Sequence, residues 1–138
     1  MSVELVGNKY NIESYAVAGC MVSKKLVDSV SIENERMWKI MDSIHGDGFE
    51  KRFRREVIAQ YKLIHESEDI LESNPDFKQL LRKTKRKFGI PAHFLDSVAS
   101  ERNTYLWYVS TYDKENYKYV QRFRAEVDLE KRTCKIIE

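Results

Sequence analysis

The hydrophobic period of this chain changes once. Up to about residue 102 the apolar residues recur every three or four positions, and from residue 104 onward they alternate. Side chains return to one face every 3.6 residues in a helix and every second residue in a strand. A single switch of this kind predicts an α+β chain, with helices first, strands after, and the helices covering one face of the sheet. Seven aromatics lie between Tyr105 and Phe123, and their spacing predicts strands at 104–112, 117–128 and 133–137. Turns at 113–116 and 129–132 join these into a three-stranded antiparallel meander. Tyr105, Trp107, Tyr117, Tyr119 and Phe123 are expected to face the helices, and Tyr108, Tyr112, Lys118, Arg122 and Arg124 the other side.

Four to five helices are expected before the meander. Residues 2–6 read as a short strand, and Asn11 as the N-cap of a helix to about Val27, with Gly19 an unfavourable interior residue. Ser31 opens a second helix with Glu33 and Glu35 in its first turn, where the helix dipole favours acids. Its Met37, Ile40, Met41 and Ile44 share a face, and His45-Gly46-Asp47-Gly48 stops it. The longest periodic segment runs from Phe49 to Ser73, with Phe49, Phe53, Val57, Tyr61, Ile64 and Leu71 on one stripe. Asn74-Pro75 is an N-cap followed by proline at the first helical position, which predicts a helix from Pro75 to Phe88 closed by Gly89. Pro91 is read as opening a further short helix to residue 100. No Pro/Gly/Ser-rich linker divides the chain, so residues 1–138 are expected to form a single domain, mainly helical over 1–102 and a β-meander over 103–138.

Charge is nearly balanced in total and uneven in place. The chain has 24 Lys and Arg against 22 Asp and Glu, a net charge of +2. Lys78, Arg82, Lys83, Lys85, Arg86 and Lys87 put six cations into ten residues, and no acid occurs between Asp76 and Asp96. Removing these six from +2 leaves −4 for the rest of the chain. On a helical wheel Phe77, Leu80, Leu81, Thr84 and Phe88 gather on one side and the cations take the other. Such a row complements a phosphate backbone, by releasing its counterions, and equally an acidic protein surface. The bland alternatives are a solvated face and neutralisation by Glu66, Glu68, Asp69 and Glu72 just upstream.

The run from Arg86 to Val98 resembles the turn and second helix of a helix-turn-helix motif. Gly89 stands where the turn glycine does, between Phe88 and Ile90, and Leu95 and Val98 stand at the buried positions of the second helix. The resemblance implies that Ala92, His93 and Ser97 approach base edges. Two positions depart from the pattern: Lys85 replaces the small residue four before the glycine, and Thr84 an apolar one.

The remaining chemistry is sparse. His65 and Asp69, at i and i+4 with Glu66 and Glu68 near, have metal-ligand spacing, but no further ligands are apparent, and solvated helix surface is the preferred reading. His45-Gly46-Asp47-Gly48 lacks the preceding strand and the Lys-Ser/Thr ending of a phosphate loop. No G-x-S-x-G, H-E-x-x-H, G-x-G-x-x-G or EF-hand spacing occurs. Cys20 and Cys134 form no C-x-x-C and are read as two thiols, and nothing adjacent to Cys20 would activate it. Val17-Ala18-Gly19-Cys20 looks like a lipoprotein cleavage box, but Glu4, Lys9, Asn11, Glu13 and Ser14 interrupt the apolar run such a signal needs. No apolar run of membrane-spanning length is present. The sequence is therefore read as a cytoplasmic, non-enzymatic regulatory or adaptor protein. No catalytic residue, metal or cofactor is assigned, and no membrane contact is expected. The binding residues are Lys78, Arg82, Lys83, Lys85, Arg86, Lys87 and His93, and the partner is an acidic protein surface or a nucleic-acid backbone. The alternative is a DNA- or RNA-binding regulator using the helix pair at 75–100, and the third reading is an enzyme with an unfamiliar site.

Overall fold

The computed structural model describes residues 1–14, 22–99 and 103–137. It contains four helices followed by a four-stranded antiparallel sheet, in the order α1 (Ser2–Lys9), α2 (Lys24–His45), α3 (Phe49–Ser73), α4 (Pro75–Phe88), β1 (Pro91–Ala99), β2 (Thr104–Asp113), β3 (Lys118–Asp128) and β4 (Thr133–Ile137). Contacts divide the chain into two compact units, Met1–Lys62 and Leu63–Glu138, with the boundary inside α3.

In the first unit the expected strand at 2–6 is a helix. Val6 packs with Phe49 and Phe53, and Glu4 and Lys9 lie in the first and last turns, where the dipole suits each charge. Gly7 follows because the chain doubles back on it: a Cβ there would sit 2.5 Å from the Ile12 carbonyl oxygen. Asn11 has φ 55° and caps no helix, and much of the helix expected over 11–27 lies outside the described residues, as does Cys20. The second helix begins earlier than expected. Ser23 accepts the Leu26 amide at 3.3 Å, and α2 then runs through the Asp28–Ser31 stretch, which contains neither Gly nor Pro. At its end, the Arg52 guanidinium donates to the carbonyls of His45 (2.6 Å) and Asp47 (2.9 Å), while Asp42 accepts the Phe49 amide at 2.8 Å. These bonds satisfy groups that two helix ends leave orphaned.

The second unit holds the larger core: Leu71 and Phe77 from the helices against Leu95, Tyr105, Trp107, Val109, Phe123, Ala125 and Val127 from the sheet. The expected α+β architecture, with helices on one sheet face, is present. The sheet order is β1-β2-β3-β4, one strand more than the meander read from sequence. The extra strand is β1, where a helix was expected over 91–100. A bulge explains the misreading. Leu95 pairs with Trp107, Ser97 with Leu106 and Val98 with Tyr105, so Asp96 is left over. Leu95 and Val98 therefore reach the same face three positions apart, which is helical spacing produced by a strand.

A second bulge changes the other expectation. Phe123 pairs with Val109 and Gln121 with Ser110, leaving Arg122 unpaired. One extra residue reverses the face of everything beyond it. Tyr105, Trp107 and Phe123 are buried under the helices as expected, but Tyr119 pairs with Tyr112 on the opposite face and is exposed. Tyr117 lies in the turn at φ 52° and is exposed as well.

Candidate binding surface

Helix α4 is placed by strong local signals. The Asn74 side chain accepts the Phe77 amide at 2.9 Å, Pro75 occupies the first turn, and Gly89 closes the helix at φ 96°. Phe77 and Thr84 are buried against the unit's core, with Leu80 and Leu81 half-buried beside them. That docking fixes the helix's rotation. Lys78, Arg82, Lys83, Lys85, Arg86 and Lys87 all point to solvent.

The acids that precede α4 do not neutralise it. Glu66 pairs with Arg132. Glu68 lies 2.9 Å from the Nε2 atom of His93 and 3.5 Å from Nδ1 of His65, and Glu72 lies 3.7 Å from His93. None of the six α4 cations forms an ion pair with a described carboxylate. Lys87 instead lies 5.0 Å from the centroid of the Phe88 ring.

His93 does not join this surface. It sits on β1, half-buried, edge-on to Phe77 and Trp107 at ring separations of 6.1 and 5.7 Å. Its ring nitrogen is taken by Glu68. Because β1 is a strand, the helix pair at 75–100 does not form, and Ala92, His93 and Ser97 are not on a recognition helix. Glu68, Glu72 and His93 present ligand atoms within 4.8 Å of one another, an arrangement the histidine–glutamate hydrogen bond already accounts for. The spacing read for His65 and Asp69 gives His65 a contact with Glu68 instead.

The structure adds residues that the sequence pattern did not mark. The bulge turns Arg122, expected on the sheet face away from the helices, toward α4. Its guanidinium carbon lies 3.8 Å from the centroid of the Phe88 ring, and its Nε donates to Thr111 Oγ1 at 2.9 Å. Arg122, Phe88, Lys83 and Lys87 line a groove of about 450 Å³ between α4 and β3. Phe88, Lys87 and Arg122 also border the next hollow, at the α4–β1 corner, with Ile90, Tyr112 and Lys114. Phe88 was expected on the apolar side of α4, but it is 39% exposed, and Ile90 is 81% exposed. No residue-level pattern announces this cluster, because it depends on where the bulge falls.

Elsewhere in this unit, Cys134 is half-buried, and burial, with a smaller contribution from Asp76, pushes its thiol up to about 11. It is a poor candidate for a nucleophile. No described helix is long and apolar enough to cross a membrane. Comparison with known proteins finds no family model, no curated protein and no solved structure that this chain matches.

Proposed function

We propose that this protein is a non-enzymatic, cytoplasmic regulatory or adaptor protein that binds an acidic macromolecular partner through the outer face of α4. One observation carries the reading: six cations project from one rigid helix, and none of the described carboxylates, Glu66, Glu68, Asp69 and Glu72 included, forms an ion pair with them. Unpaired like charges held in a row on a docked helix repel one another, and a polyanion relieves that repulsion and releases its own counterions. The buried Phe77 and Thr84 keep the row in place, so little ordering is lost on binding.

The test is equilibrium binding of the intact protein to a polyglutamate peptide and to labelled oligonucleotides over a series of salt concentrations. Arg82→Gln with Arg86→Gln should weaken binding and reduce the slope of log K against log salt by roughly one for each phosphate contact removed. Thermal stability should stay within about 0.5 kcal/mol of the parent, since both residues are exposed and pair with no described carboxylate. Binding that is unchanged in this variant would exclude α4 as the contact surface.

A further inference from the structure

The face of the sheet opposite the helices carries aromatics in continuous contact. Phe94 stacks on Tyr108 at 5.3 Å between ring centroids, Phe94 meets Tyr119 edge-on at 5.9 Å, and Tyr119 meets Tyr112 at 5.4 Å. Three strands contribute to this row, and it is open: Tyr119 is 61% exposed, Tyr112 45% and Phe94 38%. Exposed aromatics scattered singly are ordinary, but a contiguous row of them on an exposed sheet face is a candidate interaction surface. Arg124 pairs across the ladder with Tyr108, which adds a cation to the same face.

This row meets the basic helix at the corner. Tyr112 borders the hollow that Lys87, Phe88, Ile90, Lys114 and Arg122 also line, and Arg122 covers the Phe88 ring. The surface is thus continuous from the α4 cations, over the Arg122–Phe88 stack, to the aromatic row. Of the two carboxylates at the corner, Asp113 is held by the Glu115 and Asn116 amides and by the Asn116 side chain, and these bonds keep its carboxyl below the ordinary range. That keeps it ionised, so Asp113 and Glu115 both oppose the Lys87, Lys114 and Arg122 cations there.

We infer that this continuous surface binds single-stranded nucleic acid, with bases stacking on Phe94, Tyr112 and Tyr119 and the sugar-phosphate backbone running along Arg122 and the α4 cations. Acidic protein would be satisfied by the cations alone and gives the aromatic row no role. A duplex hides its base faces. Single strands expose both features at once, and stacking on aromatic rings tolerates any base because every base has a π-face. The inference rests on the α4 reading and deepens it by naming the partner's chemistry.

The experiment is fluorescence anisotropy with the full chain and three probes: an oligothymidylate of about 20 nucleotides, a mixed duplex of the same length and a polyglutamate peptide. The single strand should bind at least about tenfold more tightly than the duplex. Phe94→Ala with Tyr119→Ala should weaken it by roughly tenfold or more, while Tyr119→Trp, which keeps a stacking ring, should retain it. Circular dichroism of each variant separates lost stacking from lost folding. Equal binding of strand and duplex, unaffected by the aromatic changes but lost in Arg82→Gln with Arg86→Gln, overturns this inference and leaves the α4 reading standing. Binding of polyglutamate without either nucleic acid does the same. No binding of any probe at low salt overturns both.

Discussion

The two units of the chain are built with similar numbers of apolar residues and very different degrees of enclosure. Among the described residues of Met1–Lys62, only Val6, Phe49 and Phe53 form a buried cluster, and the 22-residue α2 has no fully buried residue, with Ile40 59% and Ile44 65% exposed. Among the described residues of Leu63–Glu138, nine buried ones form one core. The reason is geometric. A helix offers a stripe and conceals part of it, whereas a sheet offers a whole face, and Tyr105, Trp107 and Val109 of β2 with Phe123, Ala125 and Val127 of β3 are buried in the core under the helices. Face residues expected for α2 therefore divide: Met37 and Met41 are half-buried, while Ile40 and Ile44 are not.

The largest test of this contrast is truncation of the cores. Phe77→Ala should cost about 3–5 kcal/mol in chemical denaturation, and Met41→Ala, at a half-buried position, about 1–2 kcal/mol. Equal losses would break the comparison. Native-state amide exchange should agree, with β2 and β3 amides outlasting those of α2 by orders of magnitude.

A finer test uses the two helix caps. Asn74 bonds its helix at 2.9 Å in a half-buried setting, and Ser23 bonds its own at 3.3 Å in the open. Asn74→Ala should cost about 1 kcal/mol and Ser23→Ala about half of that. A larger effect at Ser23 would mean that the first unit depends on local helix signals more than its packing implies.

The smallest effects are in the ionisable groups. Glu56 accepts bonds from Lys9 at 2.8 Å and Tyr10 at 2.6 Å, and these hold its carboxyl below the ordinary value of 4.5. A depressed carboxyl contributes stability that is present above pH 4.5 and is lost as pH falls through its lower, folded value. Acid titration should therefore weaken the first unit over that window, and Tyr10→Phe should remove about 1 kcal/mol at neutral pH. In the second unit the Cys134 thiol, raised to about 11, should alkylate slowly at pH 8 and faster as pH approaches that value. Rapid labelling at neutral pH would show that this side of the core opens more readily than its burial implies.

How much of this was legible in the residues follows the same divide between local and distant causes. Helix α4 could be read to its ends because Asn74, Pro75 and Gly89 each act on neighbouring backbone. Helix α3 could be read because apolar residues recur at helical spacing from Phe49 to Leu71, although Tyr61 on that stripe is 54% exposed. The strand at 91–99 was not legible: the Asp96 bulge gives Leu95 and Val98 helical spacing, and only pairing with β2 reveals the strand. The open aromatic row was hidden for the same reason, since the Arg122 bulge moves Tyr119 to the far face.

The sequence by itself determined the α+β class, the bounds of α3 and α4, and a cationic helix side with no acid interleaved. These follow from periodicity and capping, which act over a turn or two of chain. Only the tertiary structure decided that Glu66, Glu68 and Glu72 turn to Arg132, His65 and His93 rather than to α4, that His93 lies against Trp107, and that Arg122 stacks on Phe88. Those outcomes depend on strand register and bulge position, which are set by which residues meet across the fold and not by their order along it.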